Sequence, residues 1–282
     1  MDYDGMELTE ENLQILITNA EAGEAEAQFY IGLLYNNDIL GEQDLEKAAF
    51  WWSKAAEQGH VDAQYFLGSA YFDGKGVVED KEAAVFWWRK SAEQGDKYAQ
   101  YFLGTAYLYG DGVAKNEGTA VLWFRKSAEQ GVADAQYFLG SAYFNGEGVV
   151  EDKEAAVFWW SKATEQGQVD AQYFLGSAYS TGDGVAEDQE AAVFWWRKSA
   201  EQGDKYAQSL LGTAYLYGDG VAKNEGTAVL WFRKSAEQGV AHAQNMLGNC
   251  YYQGIGVPRD LELAEYWYQK AREQGHDMDY WD

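Results

Sequence analysis

An enzyme would need a nucleophile beside a base, a pair of carboxylates in a cleft, or a set of metal ligands at workable spacing. The sequence has three histidines, His60, His242 and His276, and long stretches of chain separate them. Cys250 is its single cysteine, which leaves no internal disulfide framework and no cysteine-cluster metal site. His242 stands eight residues before Cys250, about two helical turns away, so the two form a weak pair and Cys250 reads as a small buried hydrophobe. Asp111-Gly112 and Asp183-Gly184 resemble the start of a cation loop but lack the alternating acidic ligands and distal glutamate that calcium requires, so they read as turns. The repeated Gly-x-Gly joins two helices in an acidic chain and does not form a phosphate cradle. No catalysis, cofactor or metal is expected.

Contact chemistry is better represented. Asp62, Tyr65, Ser69 and Phe72 fall at i, i+3, i+7 and i+10 of one helix, opposite its apolar stripe, on a face that should be solvated. That face carries a ring at the same place in successive segments, Phe29, Tyr65, Tyr101, Tyr137 and Tyr173, before the series stops at Ser209 and Asn245. Tyr98, Asp134, Phe144 and Asp170 hold related positions and complete the candidate partner-binding set. Tyrosine is a favoured interface anchor because its ring buries area at low entropy cost while its hydroxyl hydrogen-bonds. Two readings stay open: the rings line a concave groove, or they pack on one another inside a tight curve. The pairs Trp51-Trp52, Trp87-Trp88, Trp159-Trp160 and Trp195-Trp196 are expected to pack between repeats.

A net charge of −25 repels phosphate backbones and anionic lipid headgroups and attracts basic partners, while also keeping a chain with 16% aromatic residues in solution. Nucleic acid and membrane are therefore not expected as partners. The acidic start Met1-Asp2-Tyr3-Asp4 lacks the basic and apolar regions of a signal peptide, and no window approaches the ~20 apolar residues of a membrane span. The expected location is cytoplasmic, or periplasmic or secreted if a signal has been removed.

The elements that position these residues follow from a repeat. Ala-Gln ends at Gln28, Gln64, Gln100, Gln136, Gln172, Gln208 and Gln244, each 36 residues after the last. Glycines from Gly23 to Gly275 keep the same period and mark helix ends. In the segment His60 to Gly95, Ala63, Phe66, Leu67, Ala70 and Tyr71 recur at helical spacing and define helix A. Gly74 and Gly76 allow a tight reversal, and Asp80 caps helix B, whose Ala84, Trp87, Trp88 and Ser91 repeat the spacing until Gly95. One hairpin cannot bury both faces, so neighbours must stack, with Ala63, Gly68 and Ala84 allowing close approach. Residues 1–23 have the phase of a helix B and read as an N-terminal cap, 24–275 as seven tandem repeats, and 276–282 as a tail whose Tyr280 and Trp281 cover the last hairpin. Repeat one departs from the turn pattern, with Asp38 and Leu40 where later repeats have glycine. Residues 96–131 and 204–239 are identical except that Tyr101-Phe102 becomes Ser209-Leu210. That exchange suggests a partner held by the earlier repeats and a more polar groove at Ser209, His242, Asn245 and Asn249.

Ala63-Gln64, Leu67-Gly68, Tyr71, Gly74-Lys75-Gly76-Val77, Asp80, Ala84, Trp87 and Ser91-Ala92-Glu93-Gln94-Gly95 resemble the consensus of the Sel-one-like repeat proteins, a branch of the tetratricopeptide-like solenoids. The resemblance covers nearly the whole chain and implies an all-α, right-handed α/α superhelical solenoid of helix-turn-helix repeats. It also implies an adaptor or scaffold of the kind common in bacteria and tied to host interaction, secreted effectors or toxin neutralisation. Together with the charge, it leads us to expect a monomer without enzymatic activity that binds a basic or peptide-like protein, such as a toxin held by an immunity-type protein. The alternative is a carbohydrate or cell-wall binder using stacked aromatics.

Overall fold

The structure, a computed structural model, describes residues 9–39 and 43–275. Leu40, the start of the expected cap and the expected tail with Tyr280 and Trp281 lie outside the described residues. The described residues contain fifteen helices and no strand, and the chain forms two compact units.

The first unit holds α1 (Glu10–Glu21), α2 (Ala25–Asn36), α3 (Leu45–Glu57), α4 (Val61–Asp73), α5 (Lys81–Glu93), α6 (Lys97–Tyr109), α7 (Glu117–Glu129) and α8 (Ala133–Asn145) as far as Ala142. The second holds the last turn of α8, then α9 (Lys153–Thr164), α10 (Val169–Thr181), α11 (Gln189–Glu201), α12 (Lys205–Tyr217), α13 (Glu225–Glu237), α14 (Ala241–Gln253) and α15 (Leu261–Arg272). Within each unit consecutive helices pack on one another, α1 through α7 and α9 through α15. The even-numbered helices are the A helices of the repeat, and the odd-numbered ones from α3 onward are its B helices. This is an α/α solenoid architecture built from helical hairpins.

Local signals set the helix limits as the sequence indicates. Asp80 accepts a hydrogen bond from the Ala83 amide at 2.9 Å, and Asn116 and Asp188 cap α7 and α11 in the same way. The turn after α4 needs positive φ at Gly74 and Gly76, which have φ of 66° and 73°. Gly76 is constrained twice, because a Cβ there would lie 1.9 Å from the Leu45 carbonyl oxygen at the start of α3. Repeat one reaches the first of these conformations without glycine, through Asp38 at φ 57°. Aspartate tolerates the left-handed region better than most residues.

The conserved-period Ala-Gln pair has a direct structural task. Gln64 is buried, its Nε2 donating to the Ala56 carbonyl of α3 at 3.1 Å and its Oε1 accepting from Gln94 Nε2 at 2.8 Å. Ala56 lies in the last turn of its helix, where carbonyls lack intrahelical partners. One side chain in α4 therefore ties the end of the preceding B helix to the end of its own. Gln28 and Gln100 repeat the bridge in the first unit, and Gln208 and Gln244 in the second. Because Gln28 donates to Ala20, α1 acts as a B helix with no A helix before it, as the phase of its sequence indicates.

Between the two helices of a hairpin, glycine and tryptophan interlock. A Cβ on Gly68 would meet the Trp88 indole at 2.6 Å, and that ring is buried, with Nε1 donating to Ser69 Oγ at 3.3 Å. In repeat one Leu33 replaces this serine, and the buried Trp52 Nε1 has no partner. The second tryptophan of each pair is core, as expected, whereas Trp51, Trp87, Trp159 and Trp195 are only partly buried.

If the glutamine bridge holds neighbours together, Gln100→Leu, which keeps size but removes both hydrogen bonds, should lower unfolding free energy by about 2 kcal/mol in urea denaturation. An unchanged midpoint would assign the amide no stabilising role.

Candidate partner-binding face

The A helices place most of the candidate residues at their N-terminal and central turns, with Phe72 and Phe144 in the last turns of α4 and α8. In the first unit, Tyr65 of α4 lies 6.2 Å from Tyr98 and 5.9 Å from Phe102 of α6, centroid to centroid. Tyr101 lies 6.1 Å from Phe138 of α8, and Tyr137 meets Phe138 at 5.1 Å. In the second unit Tyr173 of α10 lies 6.3 Å from Tyr206 of α12.

These contacts correct the expectation that the face is solvated, and they hold part of each ring in packing between neighbouring repeats, one of the two arrangements the sequence leaves open. Tyr65, Tyr101, Tyr137 and Tyr173 are half-buried, and Phe29 is buried and stacked on His60 at 4.7 Å. The cause lies in the neighbouring repeat: Phe102 stacks on Trp88 at 5.2 Å and in doing so slides against Tyr65. Phe72 and Phe144 likewise pack on Trp88 and Trp160 of their own hairpins, at 5.2 and 5.3 Å. Lys81 and Lys153 cover those two rings and pair with Asp111 and Asp183 at 2.7 Å, which makes Asp111-Gly112 and Asp183-Gly184 structural turns. The hydrogen bond from Lys153 holds the Asp183 carboxyl below its usual range.

A second correction concerns the C-terminal repeats. Ser209, Asn245 and Asn249 do not line an open polar groove; each is buried. Ser209 Oγ lies 3.0 Å from His242 Nδ1, and Asn249 Oδ1 accepts from the Tyr268 hydroxyl at 2.7 Å.

The remaining open part of the face is acidic and aromatic. Asp62, Asp134 and Asp170 are exposed, and Tyr98 and Tyr206 expose about half their surface (47% and 51%). Burial raises the Asp96 carboxyl pKa, and the nearby Asp62 charge adds to the rise; Asp204 responds to burial and to Asp170 in the same way. Burial, followed by Asp134, pushes the Tyr101 phenol up to about 12, and Tyr65 and Tyr173 are raised mainly by burial too. All three remain neutral hydrogen-bonding phenols. Lys97 sits over Tyr98 at 5.0 Å and Lys205 over Tyr206 at 5.1 Å, so these rings already hold a cation against their faces.

Two recesses open beside the tyrosines. One of about 320 Å³ in the first unit is lined by Leu108, Phe124, Tyr137, Phe138 and Ser141. Another of about 230 Å³ brings Phe144 and Tyr173 together with Trp160 and Phe174 in the second. Asp96, Asp204 and Tyr206 are absent from the sequence-derived set. The signal for the two aspartates was their shared place in the duplicated segments immediately after a helix-ending glycine, where Asp96 caps α6 by accepting from the Ala99 amide at 2.6 Å.

The two described histidines, His60 and His242, have structural partners. His60 caps α4 through Nδ1 and lies 3.0 Å from Glu26 through Nε2. Cys250 is buried, and burial pushes its thiol up to about 12, far from a reactive thiolate. His276 lies outside the described residues. Among the described residues no cluster of His, Cys, Asp and Glu could hold a metal ion, and no helix is long and apolar enough to cross a membrane.

These repeats define a class, and comparison with known proteins gives the family. The Sel1 repeat profile matches residues 25–60, 61–96, 97–132, 133–168, 169–204, 205–240 and 241–276. The chain belongs to the Sel1 repeat family, whose members are generally protein-interaction scaffolds. It is similar to c5321, a protective antigen of uropathogenic Escherichia coli displaying an SLR fold, with 41% identity, a TM-score of 0.86, and coverage of 94% of this chain and 56% of that one. The chain thus spans little more than half the length of that antigen. It is also similar to a Sel1 repeat protein from Oxalobacter formigenes, with 38% identity, a TM-score of 0.73, and coverage of 94% and 77%. No curated protein matches the chain.

Because the folded chain holds the Asp96 proton more tightly than the unfolded chain does, ionisation of Asp96 lowers stability as pH rises through its raised pKa. Asp96→Asn keeps a capping oxygen for the Ala99 amide and removes this loss. It should raise the melting temperature near pH ~7 and do much less near pH ~3, where the wild-type carboxyl is protonated in both states. An equal effect at both values would mean that the charge is not the cause.

Proposed function

We propose that this chain is a non-enzymatic scaffold that captures a basic, peptide-like segment of a partner protein on the acidic, tyrosine-bearing face of its A helices. The observation that carries this reading is the grouping of Asp62, Asp96, Tyr65 and Tyr98 in the first unit, repeated by Asp170, Asp204, Tyr173 and Tyr206 in the second. In each group burial and a like charge raise the pKa of one aspartate while exposed phenol surface stands beside it. A lysine or arginine side chain relieves the repulsion between the carboxylates and lies on the ring, in the manner that Lys97 and Lys205 adopt internally. The recesses beside Tyr137 and Tyr173 accept apolar side chains from the same segment.

A net charge of −25 adds long-range attraction for a basic toxin or effector, so an immunity-type neutralising role is a natural form of this activity. The carbohydrate reading has less support. Flat, open aromatic platforms suit sugar faces, and Tyr65 is instead tilted by 33° against Phe102 and half-buried.

Titration of a lysine-rich peptide into the chain should give binding that weakens about tenfold or more between low and high salt. Asp62→Lys with Asp170→Lys should abolish it while helicity is retained. Binding that ignores both salt and the double reversal, or preference for an uncharged oligosaccharide, would overturn the proposal.

A further inference from the structure

The B helices present a second feature that the A-helix face does not absorb. Phe86 of α5 is 51% exposed and Phe194 of α11 is 49% exposed, and Phe50, Phe158 and Tyr266 are similarly exposed at the same position of α3, α9 and α15. Internal packing leaves about half of each ring uncovered. The next residue, Trp87 or Trp195, turns inward and meets the exposed ring edge-on at 5.0 or 4.9 Å.

The charges around each ring are ordered. An exposed glutamate, Glu82 or Glu190, stands four residues before it, and an exposed lysine, Lys90 or Lys198, stands four residues after it. Residues four apart share one helical face, so α3, α5, α9, α11 and α15 each read acid, ring, base from N-terminus to C-terminus. Where α7 and α13 shorten the ring to Leu122 and Leu230, the acid is missing too, with Gly118 and Gly226 in its place.

This face is complementary to itself in one orientation. Two copies packed parallel would set glutamate against glutamate and lysine against lysine. Packed antiparallel, each glutamate meets the other copy's lysine and the rings meet between them, as a two-fold axis requires. Lys90 already lies over Phe86 at 5.1 Å and Lys198 over Phe194 at 5.8 Å, so closure would desolvate an existing cation–π contact and strengthen it. Two chains each carrying −25 repel one another overall, and the B-helix face, with its recurring lysines, is where that repulsion is locally reversed.

We propose that the outer face of the B helices is the interface of a homodimer in which B helices of two copies pack antiparallel. The sequence alone suggested a monomer.

Sedimentation equilibrium of the full chain up to ~200 μM should show reversible dimerisation. Phe86→Glu with Phe194→Glu, both at exposed positions, should weaken it at least about tenfold. The reversal Lys90→Glu with Lys198→Glu should also weaken it. Adding Glu82→Lys and Glu190→Lys to that reversal exchanges the charges on each helix and should restore dimerisation, because an inverted pattern is still complementary to itself. Circular dichroism establishes that every variant is folded. A parent that stays monomeric, a dimer indifferent to the ring substitutions, or an exchanged variant no stronger than the reversal overturns the proposal.

Discussion

A glutamine amide buried near the start of each A helix is the interaction around which the repeats are organised. Its two ends perform different tasks, Nε2 satisfying a carbonyl in the terminal turn of the preceding B helix and Oε1 accepting from the glutamine that ends its own. A buried amide is tolerated only when both ends are paired, and here the pairing itself joins three helices. The alanine before it, such as Ala63, is fully buried and lets the backbones approach closely enough for the amide to reach. Glycine at Gly68 then admits the Trp88 ring, and the hairpin closes. Removing the amide would disturb every one of these distances, whereas most surface positions can vary freely.

This frame determines what the A-helix face can offer. The tyrosines are not free-standing: Phe102, the residue after Tyr101, inserts between Trp88 of the preceding hairpin and Tyr65, and Phe138, the residue after Tyr137, packs on Phe124 and Tyr101. Half of each ring is thereby fixed and the rest is held in one orientation, which lowers the entropy cost of meeting a partner. Burial, and then the charge of Asp62 or Asp170 at the preceding A-helix start, raises the pKa of Asp96 and Asp204, a strain that a bound cation would relieve. On the proposed function, chain stability and partner recognition draw on the same residues, Asp96 above all.

The fold was legible because its signals are local and repeated: the Asp80 cap, the Gly74 and Gly76 turn and the 36-residue recurrence of Ala-Gln each act within a few residues. The site was legible only in part. A helical wheel drawn on α4 places Tyr65 opposite the core, but it cannot show that Phe102 arrives from the next repeat. The same blindness made Ser209 and Asn245 look like groove residues, although neighbouring helices bury both. Gln64 served as a register mark in the sequence, and its bridging role needed the positions of Ala56 and Gln94.

Two nearly identical repeats provide a natural control, since Tyr101-Phe102 in one is Ser209-Leu210 in the other and both fold into the same hairpin. The most direct measurement is a calorimetric titration of a lysine-rich peptide into the parent chain and into Tyr101→Ser/Phe102→Leu, with melting curves for both. The expected result, at a temperature where both chains are folded, is binding weakened by about tenfold or more in the variant, with a melting temperature lowered by the lost ring contacts of Tyr101 and Phe102. Equal affinities would contradict the assignment of partner binding to the tyrosine face.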